Sequence, residues 1–388
     1  MQPIYLDNQA TTRCDPRVVV EMLPWFAEEF GNPHSSHHAK GIKAAQAIEE
    51  ARQQVATLIG AEEREIHFTS GATESNNLAI KGAARFASLY RPESPRRIIT
   101  LATEHKCVLE SVQDLAAEGF EPVILPVQSD GLVEPAMLAH ALKTPSLLVS
   151  IMMANNETGV LQDIPALAEM VHAAGASFHV DLAQAVGKIP VDVKGINVDF
   201  ASISAHKFYG PKGVGALFVR RKPRARLVAL FSGGGQERGL RAGTLPTPLI
   251  VGLGAACKLA QEEMPAEGER LKALRNRLLQ QLQKGVPQLS INGSMDYRLP
   301  GNLNVCFPGV RALDLMAAAP LVQCSTGSAC TSSTVSPSYV LRVMGLSADM
   351  AASAVRLSLG RFTTAEEVDR AASLLCRAYQ VVYSAVKG

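Results

Sequence analysis

The chain has 388 residues, of which 47% are hydrophobic and 19% charged, a mix typical of a globular protein with one large or two moderate domains. The net charge of +2 produces no strong field, which argues against nucleic acid or a membrane surface as partner. No apolar run approaches the roughly 20 residues that span a bilayer, and the N-terminus resembles neither a signal nor a transit peptide. We therefore expect a cytoplasmic protein.

The cysteines are odd in number and scattered, without a CxxC pair. This pattern predicts neither a disulfide framework nor a metal site, and most of the thiols are expected to be small buried side chains. The seven are Cys14, Cys107, Cys257, Cys306, Cys324, Cys330 and Cys376.

Between about residues 40 and 220, helical stretches alternate with short, nearly continuous apolar runs. Such runs are typical of parallel strands buried on both faces, so the pattern predicts an α/β domain with a mostly parallel, seven-stranded sheet. The predicted helices are Gly41–Ile59, Ala72–Tyr90, Cys107–Ala117 and Ile164–Ala174. The predicted strands lie at 65–70, 97–102, 122–127, 147–154, 177–183, 199–204 and 215–221.

After about residue 260 a charged helix, 262–284, leads into the segments INGS, LNVCF and VRLSLG. This change of pattern predicts a smaller α+β domain that the N-terminal segment completes. We therefore place a large domain at 16–260 and a small domain at 1–15 and 261–388.

Two charged residues follow predicted strands, where open α/β sheets bind their ligands. Asp181 lies in HVDLAQ and Lys207 in SAHKFYGPKG. A lysine that attaches to an aldehyde and an aspartate that keeps a pyridine nitrogen protonated are what pyridoxal 5'-phosphate requires. Gln184 could contact the ring oxygen. The alternative is that both charges belong to solvated loops.

TSGATESNN (69–77) runs from a strand through a glycine turn into a helix, so the amides of Ala72 and Thr73 could bind a phosphate. Ser204 and His206 could add hydrogen bonds. A simple helix N-cap is the alternative interpretation of this segment. His105, which follows another predicted strand, could stack on a cofactor ring, although a lone histidine is more often structural.

These motifs resemble the group I cysteine desulfurases, the iron–sulfur-cluster and nitrogen-fixation type enzymes of the fold-type I pyridoxal-phosphate superfamily. The similarity runs in order from about Tyr5 to about Ala371. The segments that carry it are YLDNQATT, GNPHS, SGATESNNLAIKG, TEHK, NNETG, HVDLAQ, SAHKFYGPKG, GGGQERGLRAGT, STGSACTSS and RLSLGR.

The resemblance implies that Lys207 attaches to the cofactor, that Asp181 contacts the pyridine nitrogen and Gln184 the ring oxygen, and that His105 stacks on the ring and helps to transfer protons. Thr73, Ser204 and His206 would bind the phosphate beside Ala72. Thr244 would reach the phosphate of the neighbouring subunit, which implies a homodimer. Asn156, also beside the cofactor, would hold the substrate carboxylate together with Arg356, whose planar fork suits that task.

Cys330 lies among small polar residues that have no helical or strand periodicity, so we predict a mobile loop. The resemblance makes this residue the nucleophile whose thiolate takes sulfur from L-cysteine and presents a persulfide to an acceptor. Cys324 stands where the family usually has a small or polar residue and is a possible second acceptor thiol. Ala205 replaces a usual glycine.

The predicted activity is therefore conversion of L-cysteine to L-alanine with sulfur left on Cys330. A selenocysteine lyase, a β-eliminating enzyme that gives pyruvate, and a non-catalytic binding partner are the alternatives. The expected protein partner is a sulfur acceptor, either an iron–sulfur scaffold or a thiolation enzyme. Because this chain stops sooner after its last helix than the housekeeping branch does, docking to a scaffold is less firmly implied.

Overall fold

The structure, a computed structural model, describes residues 2–326 and 337–387. Its strands are β1 (Ile4–Tyr5), β2 (Ile66–Thr69), β3 (Arg97–Leu101), β4 (Glu121–Leu125), β5 (Leu148–Met152), β6 (Ser177–Asp181), β7 (Phe200–Ser204), β8 (Gly215–Val219), β9 (Ser290–Ile291), β10 (Asn302–Cys306), β11 (Val322–Gln323) and β12 (Ala354–Ser358). Its helices are α1 (Pro16–Met22), α2 (Pro24–Ala27), α3 (Ala39–Leu58), α4 (Ala72–Tyr90), α5 (Lys106–Asp114), α6 (Pro135–Ala141), α7 (Ile164–Ala173), α8 (Thr247–Gly285), α9 (Ala312–Ala318), α10 (Tyr339–Val343), α11 (Ala348–Ala352) and α12 (Ala365–Lys387).

The central sheet has seven strands in the order β2-β8-β7-β6-β5-β3-β4. Strand β8 is antiparallel to both of its neighbours, and the other pairs are parallel. Each of the seven predicted apolar runs forms one of these strands, so the predicted α/β class with a mostly parallel sheet is confirmed. Every residue of β5, β7 and β8 is buried, because helices cover both faces of such a sheet.

Helix α8 is longer than the predicted charged helix and begins at Thr247. The difference lies in a stretch that contains Gly252 and Gly254, residues of low helix propensity. An added Cβ at Gly254 would approach the Cα of Ala51 to 2.7 Å. Close packing of α8 on α3 therefore requires glycine here, and tertiary contacts outweigh its weak local preference for helix.

Two hydrophobic cores lie at opposite ends of α8. Ile250 and Leu253 belong to the core around the central sheet, whereas Leu278 and Leu282 belong to the core of the C-terminal region. The predicted boundary at 260/261 falls inside this helix and remains a prediction. In the C-terminal region β12, β10 and β9 form an antiparallel sheet, and β1 pairs with β11 in parallel, so the N-terminal segment packs there.

The carboxyl ends of the parallel strands open on one edge of the central sheet, the position at which folds of this kind bind ligands. Strands β2, β3, β5, β6 and β7 are each followed by a segment that carries polar residues singled out above. Among the described residues, no helix is both long and apolar enough to cross a membrane.

Candidate active site

A cavity of about 520 Å³ opens at this edge and brings together ten of the predicted site residues. They come from the carboxyl ends of five strands of the central sheet or the segments that follow them, and from β12 of the C-terminal region. The ten residues are Ala72, Thr73, His105, Asn156, Asp181, Gln184, Ser204, His206, Lys207 and Arg356.

Asp181 is the last residue of β6 and is only 6% exposed. Its Oδ1 accepts a hydrogen bond from the backbone amide of Ala183 at 2.8 Å. Its Oδ2 accepts one from Nδ2 of the buried Asn76 at 2.7 Å. Two neutral donors therefore hold the carboxylate at the cavity wall, and no described cation forms a salt bridge with it.

Lys207 lies in a short 3₁₀ turn (Ala205–Lys207) that follows β7. Its Nζ donates to the backbone carbonyl of Gln9 at 2.9 Å and to that of Ala10 at 2.7 Å. The N-terminal segment thus supplies acceptors to the amine that the sequence marks as the attachment point. These two bonds hold the lysine head in the cavity.

The side of the cavity that was predicted to bind a phosphate is formed by the N-terminus of α4. Its N-cap residue, Gly71, has φ of +148°, a conformation that favours glycine, and makes no side-chain cap hydrogen bond. A Cβ on Gly71 would lie 3.5 Å from Ser204 Oγ, inside the cavity mouth. The first amides of a 19-residue helix therefore lie at the cavity beside Ser204, after a turn whose backbone conformation favours glycine.

His206 lies on the same side, with Nδ1 3.1 Å from Thr11 Oγ1. Burial, reinforced by Lys207, Lys212 and Lys188, lowers the pKa of His206 to about 4. A neutral imidazole can still donate a hydrogen bond to an oxygen atom of an anion.

His105 is the N-cap residue of α5, and its Nδ1 accepts from the amide of Cys107 at 3.2 Å. This bond assigns Nδ1 as an acceptor and fixes the ring at the cavity wall. The preceding residue, Glu104, is fully buried, and burial raises its pKa well above the ordinary value.

Arg356 lies on β12, is 2% exposed, and lines the cavity from the C-terminal region. Its guanidinium donates to the Asn156 carbonyl at 2.8 Å and to Asp7 Oδ1 at 2.7 Å. The Oδ1 atom of Asn156 is buried and has no hydrogen-bond partner among the described residues. The two groups predicted to hold the substrate therefore lie side by side.

The other three predicted positions differ. Thr244 is exposed and does not line this cavity. Cys330 lies outside the described residues. Cys324 is buried, and burial together with Asp7 raises its pKa to about 12. A thiol in that environment stays protonated, so the position does not favour a second acceptor thiol.

The sequence did not single out several other residues of the cavity: Gln9, Ala10, Cys107 and Lys212 line it, and Asn76 contacts Asp181. Gln9, Asn76 and Lys212 fall within motifs quoted above, which was the available signal, but no local pattern indicated their contacts. Within the described ranges, no group of three or more His, Cys, Asp or Glu residues could hold a metal ion.

Comparison with known proteins shows which family the chain belongs to. Residues 4–371 match the aminotransferase class-V family model. A cysteine desulfurase IscS from Anaeromyxobacter sp. (strain Fw109-5) is 54% identical, and the match covers 96% of this chain and 91% of that protein. The cysteine desulfurase of Homo sapiens is 52% identical, with 95% and 80% covered.

Solved structures agree. A NifS-like protein superposes with a TM-score of 0.89 at 37% identity, covering 98% of this chain and 99% of that one. SspA in complex with cysteine superposes with a TM-score of 0.81 at 37% identity, covering 93% and 100%. The chain therefore belongs to the class-V aminotransferase family and, within it, to the cysteine desulfurases of the IscS and NifS type.

Proposed function

We propose that this chain converts L-cysteine to L-alanine and retains the sulfur as a persulfide on Cys330. The observation that carries the proposal is the meeting, in one cavity, of the Lys207 amine, the Asp181 carboxylate and the Arg356 guanidinium. These are the three charges that a pyridoxal enzyme acting on an amino acid requires. The homology to cysteine desulfurases supports the same choice of substrate.

The residues present fit pyridoxal 5'-phosphate. The N-terminus of α4, beside Ser204, suits a phosphate, and Asp181 suits a protonated ring nitrogen. Gln184 would contact the ring oxygen and His105 the ring face. When bound, the group supplies an electron sink for the amino acid's carbon atoms.

The chain's own residues would hold the substrate and move its protons. Arg356, fixed by Asp7 and the Asn156 carbonyl, would bind the substrate carboxylate. Lys207 would hold the cofactor, and its amine could take and return a proton of the substrate. His105 would assist at the thiol. The Cys330 thiolate forms an S–S bond as the substrate's Cβ–S bond breaks, and Cβ ends as the methyl group of alanine, so no external oxidant or reductant is needed.

A homodimer is part of the proposal, because Thr244 is exposed and does not line the cavity of its own chain. Thr244 of the partner subunit would complete the phosphate site. The persulfide would pass to a sulfur-acceptor protein, an iron–sulfur scaffold or a thiolation enzyme, since the sulfur must leave before the next turnover.

Anaerobic incubation with L-cysteine and a thiol reductant tests the proposal. We expect alanine and sulfide in equal amounts, with activity lost in Cys330→Ala although the cofactor's colour stays. Cys324→Ala is the matched control and should retain activity. Pyruvate and ammonia as products, or an active Cys330→Ala variant, would replace the desulfurase assignment with a β-eliminating lyase.

A further inference from the structure

Lys188, a residue to which the reaction above assigns no task, lies directly behind Gln184. Its Nζ donates a hydrogen bond to Gln184 Oε1 at 2.6 Å. The lysine lines a second, small cavity together with Gln9, Tyr209, Glu267 and Asn302. Gln9 lines both this small cavity and the cofactor cavity, so the two spaces adjoin each other.

The other end of the Gln184 amide is also occupied. Its Nε2 donates to the Gln9 carbonyl oxygen at 2.9 Å, and Lys207 Nζ donates to the same oxygen at 2.9 Å. A carbonyl oxygen can only accept, so Nε2 is the atom that faces Gln9, and Oε1 is the atom that accepts from Lys188 Nζ. Lys188 and Gln9 together therefore allow one orientation of the amide, with Oε1 toward Lys188 and Nε2 toward the cofactor side.

The charges around Lys188 make this contact its main polar anchor. In the described part of the chain no carboxylate lies within salt-bridge distance of its Nζ. Glu267, the acidic group that faces it, is bonded instead to Tyr209 and to Arg361. Burial, with Lys207 and Arg356 nearby, lowers the pKa of Lys188. Burying a lysine amine costs free energy unless the amine is hydrogen-bonded. Gln184 Oε1 accepts that hydrogen bond.

We propose that Lys188 is a positioning residue that orients the Gln184 amide so that Nε2 faces the ring oxygen of the cofactor. The inference rests on the proposed function, since it assumes that Gln184 contacts pyridoxal 5'-phosphate. Without Lys188, Oε1 loses the donor that holds it, and the Gln9 carbonyl is left as the amide's remaining partner, so Nε2 would be held less firmly toward the ring oxygen.

A double-mutant cycle tests the proposal. The dissociation constant for pyridoxal 5'-phosphate is measured by titration of the cofactor-stripped full-length chain, together with the visible absorption maximum of the reconstituted protein. Lys188→Met should weaken cofactor binding about tenfold and shift the absorption maximum, as expected for loss of one well-oriented hydrogen bond. In a Gln184→Ala background the same change should alter the dissociation constant less than about twofold, because coupled residues are not additive.

Lys194→Met removes an exposed lysine six residues along and should behave as the wild type. Lys188→Gln, which keeps a polar group in the small cavity but reaches less far, should reproduce the loss if Lys188→Met does not fold. Wild-type cofactor affinity in Lys188→Met and Lys188→Gln would overturn the positioning role. The same conclusion follows if the changes at Lys188 and Gln184 alter the dissociation constant independently, so that their effects multiply. Failure of the proposed function is distinguishable, because the wild-type chain would then form no alanine.

Discussion

The carboxylate of Asp181 accepts a hydrogen bond from Nδ2 of Asn76, 105 residues away in the chain, at 2.7 Å. Asn76 is fully buried on α4, and its Nδ2 also lies 3.1 Å from Cys107 Sγ. One helix therefore provides the N-terminus that we propose for the phosphate and, one turn later, the donor to the aspartate that we propose for the pyridine nitrogen.

This relationship predicts the effect of Asn76→Ala. Loss of a donor to a buried charged group costs about 1.5–3 kcal/mol, so we expect kcat/KM for L-cysteine to fall by roughly tenfold or more. Asn77→Ala is the matched control, because Asn77 donates only to the Thr73 carbonyl within its own helix. Steady-state alanine production measures both variants. Equal rates for Asn76→Ala and wild type would show that Asp181 needs no such support.

Arg356→Lys should raise KM for L-cysteine more than it lowers kcat. The guanidinium donates to two partners, Asp7 and the Asn156 carbonyl, and these bonds fix the orientation of its plane. A lysine offers a point charge without the bidentate fork, so we expect KM to increase about tenfold. Arg342→Lys, at an exposed site, is the control. A change confined to kcat would assign Arg356 to the chemical step instead of to substrate binding.

The partner subunit's role can be tested by subunit mixing. Lys207→Ala and Thr244→Ala homodimers should each have low activity. A mixed dimer contains one site with both defects and one intact site if Thr244 acts across the interface, so activity should recover toward about half of the wild type's. No recovery in verified mixed dimers would place Thr244 in its own subunit's site, whereas a fully active Thr244→Ala homodimer would place it outside the site.

His179 should make the fold less stable as the pH falls below about 6.5. It is fully buried, with its ring nitrogens against Ser150 Oγ at 2.8 Å and Ser202 Oγ at 2.9 Å, and burial lowers its pKa to about 3. Since the folded-state pKa is the lower one, the unfolded chain binds the proton first as the pH decreases. The lost stability reaches about 2 kcal/mol at pH 5.

Thermal unfolding at pH 7.5 and pH 5 measures this effect. His179→Asn should have a lower Tm than the wild type at pH 7.5, and the gap should narrow at pH 5. His140→Asn, an exposed control, should retain the wild-type pH dependence. A gap that stays constant across this pH range would mean that His179 does not contribute to the acid sensitivity.

Local patterns predicted much of the site, because each element's identity depends on neighbours in the chain. The apolar runs at 177–183 and 199–204 became adjacent buried strands, and the residues at their carboxyl ends, Asp181 and Lys207, line one cavity. The Ala72–Tyr90 helix begins and ends where its glycine turn and periodicity indicated. The sequence did not predict the full length of α8. Glycines in its first half weaken the local helix signal, and Gly254 is required there because α8 packs closely on α3.

By itself, the sequence determined the α/β class, the seven strands, the family and the residue types at the mouth of the sheet, all of which are encoded over short stretches. Only the tertiary structure decided which groups meet those residues. The Gln9 carbonyl reaches Lys207 across 198 positions, and Asp7 reaches Arg356 across 349. Such contacts have no local signature, because they arise only where the N-terminal segment packs against β12 and against the turn that follows β7.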